Sequence, residues 1–210
     1  MIKVKRNING NIVVANVENY MKEQAEALLD IISNIERLKN NFKIQIGFTI
    51  FILLNVNEEM VILAPDYNKN PFIDTTEDLT IALWVQLEQG ILLNKLKLDG
   101  ELISFQDKII CSKNALKFDN IYLQRSLEYE KGDSGWYIGT VDEKNRDEEL
   151  EIIYAYQILK MKPSILQALA LPNGHIAVFN KDRLEAVLDE NDIDILKNIK
   201  LHNLVGKWNK

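Results

Sequence analysis

The residues of this chain best equipped for covalent chemistry are Ser134, Cys111, His175 and His202, and Ser134 stands in Gly132-Asp133-Ser134-Gly135, a setting in which serine can serve as an acyl-transfer nucleophile. Such a serine needs a histidine base oriented by a carboxylate, and proteases carrying these four letters place both before the serine. Here both histidines follow Ser134, and Trp136 stands where those enzymes continue with another glycine. No triad is supplied. The stretch reads instead as a turn leading into a strand.

Other chemistries fare no better. Neither histidine has a second histidine or cysteine at metal-ligand spacing, and Cys111 has no cysteine partner. His175, in Pro-Asn-Gly-His, reads as a turn residue at the start of a strand. Cys111 reads as a small buried hydrophobe at a strand end. The nine glycines form no phosphate-cradling loop. A pair such as Glu148 and Glu151 reads as a solvated face. The expectation is a protein without metal, cofactor or catalysis.

The elements that would position these residues follow from periodicity. From Val17 to Leu38 apolar residues recur at helical spacing, which predicts a long amphipathic helix. Seven apolar residues from Phe42 to Leu54 then alternate, which predicts one strand, with 60–65 as its hairpin partner. Thr75 and Asp78 have the spacing of a capping box ahead of an apolar helix reaching Leu96. Extended pieces are expected at 103–111, 120–125, 135–140 and 174–179, and helical pieces near 155–170 and 182–189. Together these predict an α+β protein of two small units with mixed or antiparallel sheets flanked by helices. The boundary is placed near the turn before residue 103, so that 1–103 form an N-terminal unit and 104–210 a second unit with a C-terminal helical tail.

Composition narrows the partners. Apolar residues make up 47% and charged residues 27% of 210, which suits a packed core. The net charge of −6 and the lack of a basic run argue against nucleic acid. No apolar stretch is long enough to span a membrane, and the start lacks the apolar core of a signal peptide. With a single cysteine, this points to the cytoplasm.

The charge is local. Residues 128–151 hold nine acids and three bases, an excess of six that equals the net charge of the chain. Asp133, Asp142, Glu143, Glu148 and Glu149 belong to this stretch, and Trp136 and Tyr137 lie inside it. Aromatic side chains in an acidic field suit a cationic protein partner, because they supply contact area while charge speeds encounter. Burial of Trp136 in the core is the competing reading.

Several separated motifs bring in a family. Ser112-Lys113, Arg125, Asp133 to Trp136, the turn at Asp142 and Glu143, Tyr156 to Leu159, Pro163 to Leu166, and Pro172 with Gly174 occur in order across about residues 105–182. This stretch resembles the bacterial immunity-protein domain family numbered thirty-three. The resemblance implies a non-catalytic antidote that binds and occludes a cognate toxin. Ser134, Gly135, Pro163, Pro172 and Gly174 would be architectural, and Asp133, Trp136, Tyr137, Asp142, Glu143, Glu148 and Glu149 candidates for partner contact. The alternative is a regulatory or housekeeping interaction module, homodimeric through its apolar helices, with no toxin partner.

Overall fold

The computed structural model describes residues 1–142, 144 and 149–198. They form an α+β protein that divides into two compact units, Met1–Leu87 and Glu88–Lys210, so the division precedes the Asp99-Gly100 turn near which a boundary is expected. Gly100 has its Cα hydrogens against Leu93 and the carbonyl of Ala170, which ties that turn into the second unit.

In the first unit, β1 (Ile2–Ile8) and β2 (Asn11–Val17) pair antiparallel around Asn9 and Gly10, both at positive φ (52° and 82°). Such a two-residue turn matches the twist of the strands it joins. The long helix predicted from Val17 to Leu38 is shorter. Val17 belongs to β2, a 3-10 turn follows at Asn19–Met21, and α1 covers Lys22–Ser33, burying Ala25, Leu28, Leu29 and Ile32. Its partner is β1, where Arg6 bonds Glu26 and Asp30 of the helix.

The single strand expected from Phe42 to Leu54 is two strands, β3 (Phe42–Ile46) and β4 (Thr49–Val56), paired as a hairpin. Gly47, at φ 56°, turns the chain between them. The break also exchanges faces: Thr49, Phe51 and Leu53 are fully buried, whereas Ile50, Ile52 and Leu54 are half-buried. Next come β5 (Glu59–Pro65) and the short β6 (Thr75–Thr76), giving the order β1-β2-β5-β4-β3 with β6 on β5. Thr75 therefore caps nothing. Asp78 does, its Oδ1 accepting from the Thr80 N–H at 3.0 Å where α2 (Thr80–Leu96) begins.

The second unit is built on a sheet of order β10-β7-β9-β8-β11-β12. Its strands are β7 (Lys108–Ser112), β8 (Asn120–Arg125), β9 (Asp133–Thr140), β10 (Leu150–Tyr154), β11 (Ile176–Asn180) and β12 (Arg183–Leu188). All neighbours are antiparallel except β7 and β9. The helix expected at 182–189 is thus β12. Lys181, at φ 54°, reverses the chain after β11, and Arg183 to Leu188 then return along it. β10, which begins at the end of the acidic stretch, is a strand the periodicity reading omits.

One face of this sheet is covered by the segment 155–171, made of 3-10 turns at Ala155–Gln157 and Pro163–Ala168 with the short α3 (Ile158–Met161) between them. Ile109, Cys111, Ile121, Leu123, Trp136 and Ile138 from the strands are buried, as are Ile158, Ile165, Leu166 and Leu169 from the cover. Burial of this many large apolar side chains, at about 1.5–3 kcal/mol each, is the main source of stability. Of the expected C-terminal helix, residues 195–198 are helical and the rest lies outside the described residues.

Candidate functional site

Ser134 is buried at the start of β9. Its Oγ donates to the Lys108 carbonyl (2.7 Å) and accepts from the Trp136 N–H (3.1 Å). His175 meets the Asn173 carbonyl through Nδ1 at 3.2 Å. Both side chains are thus engaged with backbone. Burial, and secondarily Glu151, pushes the Cys111 thiol up to about 12, which suppresses the thiolate that nucleophilic chemistry needs. Among the described residues no group of three His, Cys, Asp or Glu could hold a metal ion.

The Asp-Ser-Gly-Trp segment instead builds a buried polar cluster around Arg125. Arg125 Nε donates to the Ser134 carbonyl (3.2 Å), Nη1 to Leu171 (2.6 Å), and Nη2 to Leu102 (3.2 Å) and the Tyr129 hydroxyl (3.1 Å). The flat guanidinium lies over the rings of Tyr129 and Trp136. Its backbone completes the tie: Arg125 N–H donates to His175 O and Gly174 N–H to Arg125 O. Gly174 and Pro172 belong to this turn, and Pro163 opens the 3-10 turn of the cover. Beside the cluster, Asp107 has its carboxyl pKa raised by burial and further by Asp133, against the lowering effects of the Ser104 N–H and Arg125.

Trp136 is 1% exposed and its Nε1 donates to Leu169 O at 2.9 Å, so it is a core residue and offers a partner no contact. The reason is strand alternation. Residues 134, 136 and 138 point to the covered face, and Tyr137, half-buried, points to the other.

Among the described residues that other face is open. Ile152 on β10 lies beside Ile110 on β7, which lies beside Tyr137 on β9. Tyr137 meets Tyr122 of β8 with ring centroids 5.9 Å apart. Leu150 and Ile152 are 62% and 66% exposed, and Ile110 and Tyr154 about two-fifths. Sequence reasoning missed Ile110, Leu150, Ile152 and Tyr154, although the alternation of 150, 152 and 154 is visible once the segment is read as a strand.

The acids frame this face instead of forming one patch. Asp133 begins β9 and Asp142 follows its end, so roughly 30 Å of extended chain separates them. Exposed Glu128 and Glu130 lie in the loop before β9. Glu149, next to Leu150, pairs with Lys113. Glu143 and Glu148 lie outside the described residues.

Among the described residues no helix is long and apolar enough to cross a membrane. Comparison with known proteins yields a match to the family model of the Imm33-like domain over residues 88–190. No curated protein and no solved structure matches the chain. The matched range contains every strand of the second sheet, the Arg125 cluster and the open face, and the family's name is that of immunity proteins. Residues 88–190 of this chain are therefore an Imm33-like domain, as the motif order in the sequence implies.

Proposed function

We propose that this protein is an immunity protein that neutralises a cognate toxin in the cytoplasm by binding and occluding it, without catalysis. The observation that carries this reading is the open face of the Imm33-like domain, where Ile110, Leu150 and Ile152 are exposed together and acids stand at both ends. Exposed contiguous apolar surface rimmed by polar residues suits a protein partner. The flanking charge favours a cationic toxin, because complementary charge raises the association rate. Tyr137, Asp133, Asp142 and Glu149 would form the rim of the contact, and the Arg125 cluster would hold the sheet in shape beneath it.

The test is co-expression of this chain with the toxin-like protein encoded beside its gene. Growth is restored at matched expression and the two proteins elute as one complex. Continued cell death with no complex on size exclusion refutes the reading. A homodimer without a toxin partner would instead run at twice its monomer mass when purified alone.

A further inference from the structure

The two edges of the second sheet are unequal. At one, β12 carries exposed Arg183 and Glu185, paired at 3.3 Å, next to a register irregularity in β11 and a bridge from Leu188 to Asp194. Charges and irregularities of this kind discourage pairing with another chain. At the other edge β10 reads Leu150-Glu151-Ile152-Ile153-Tyr154, with regular register to β7 and three exposed apolar side chains.

Its hydrogen-bonding groups are also available. The bonds from Lys113 N–H to Glu149 O and from Ala155 N–H to Asp107 O set the phase of the ladder. In an antiparallel pair alternate residues bond the neighbour. Glu149, Glu151 and Ile153 therefore face β7, and the N–H and C=O of Leu150 and Ile152 point away from it. Tyr154 also points outward, but its N–H donates to Gln157 Oε1 at 2.7 Å. Leu150 and Ile152 thus present two donors and two acceptors along an edge that no strand among the described residues pairs with.

We infer that β10 binds its partner by accepting an extended segment of a cationic protein as a seventh strand, with apolar residues opposite Leu150 and Ile152 and a Lys or Arg opposite Glu151. This rests on the immunity reading and specifies how the partner is held. Cross-strand neighbours share a face, so the exposed apolar side continues onto the incoming strand while half-buried Glu151 meets its neighbour on the other face. A second copy of the chain fits less well. In antiparallel registers that keep Leu150 and Ile152 bonded, Glu151 would meet Glu149, Glu151 or Ile153 of the same strand in the other copy, and no cation. The surplus of acids in 128–151 would oppose its own duplicate.

The experiment uses the full chain and the protein encoded beside its gene, read by amide hydrogen exchange and by affinity. Complex formation should slow exchange at Leu150 and Ile152 roughly a hundredfold or more, while Ile153, already bonded to β7, changes less. Ile152→Pro removes only an outward N–H, leaving the ladder to β7 complete, and should weaken binding about tenfold or more. Glu151→Lys should weaken it as well. A complex that forms while the Leu150 and Ile152 amides exchange as in the free protein overturns strand addition and leaves the immunity reading standing. Absence of any complex with the unaltered chain overturns both. Should Ile152→Pro fold poorly, the exchange measurement on the unaltered chain decides alone.

Discussion

The guanidinium carbon of Arg125 lies 5.6 Å from the ring centroid of Trp136, and the indole N–H on that ring reaches the carbonyl of Leu169. A buried cation is thus stacked on a buried aromatic, and three of its hydrogen bonds go to carbonyls from residues 102, 134 and 171. The residues that look most like a recognition motif are therefore what hold the sheet to its cover.

Arg125→Leu should destabilise the second unit by about 3–5 kcal/mol, because it strands buried carbonyls that the guanidinium satisfies. Arg125→Lys keeps the charge but loses the planar fork, and should recover only part of this. Urea unfolding monitored by Trp fluorescence measures both.

Trp136→Phe should cost about 1–3 kcal/mol through the unpartnered Leu169 carbonyl, and leave affinity for the toxin unchanged. A large loss of affinity at unchanged stability would return Trp136 to the interface. Titration calorimetry beside thermal unfolding separates the two outcomes.

Substitutions on the open face should behave in the opposite way. Ile110→Asp and Tyr137→Ala remove exposed or half-exposed groups. The first should alter stability by no more than about 0.5 kcal/mol while weakening toxin binding roughly thirtyfold. Surface plasmon resonance reads this, and raising the salt should slow association more than it speeds dissociation.

Two glycines of the motif should differ. At Gly135, with φ 74°, an added Cβ would overlap the Tyr129 ring, so Gly135→Ala must displace a side chain that contacts Arg125. At Gly132, with φ 94°, a Cβ meets nothing within 4 Å. Gly132→Ala should therefore cost only the backbone strain, about 1–2 kcal/mol, and Gly135→Ala measurably more.

Cys111 should resist thiol reagents in the folded protein and react on unfolding. Its folded pKa of about 12 exceeds the ordinary 9.0, so the unfolded chain releases this proton first as pH rises. The stability it contributes is complete below about pH 9 and is lost as pH climbs through about 12. Denaturant midpoints across that range should fall more steeply for the unaltered chain than for Cys111→Ala.

Much of the fold was legible because local signals and the fold agreed. The strand at 120–125 and a turn just ahead of β9 follow from alternation and turn chemistry, although Asp133 and Ser134, expected in that turn, are the first residues of the strand. Sequence and structure part where a turn residue competes with apolar pattern. Gly47 interrupts an alternation that otherwise runs without a break, and Asn9-Gly10 marks the hairpin between β1 and β2. The sequence 182–189 mixes apolar and charged residues at spacings that fit a helix, and only pairing with β11 decides for a strand. In the candidate site, charge marks 128–151 in the sequence, whereas the exposure of apolar residues 110, 150 and 152 follows only from the pairing of β10 with β7. The partners of Arg125 were not legible at all, because backbone carbonyls brought together from distant segments leave no mark on residue type.

The cluster around Arg125 also has a bearing on synthesis. As the chain leaves the ribosome, residue 125 emerges well before Leu171, whose carbonyl it will bind. Until that carbonyl arrives, closing the sheet would entomb a charge without its full set of acceptors. A nascent chain halted short of residue 171 should thus stay open and sensitive to protease, and the second unit should close in one step once the last strap has been made.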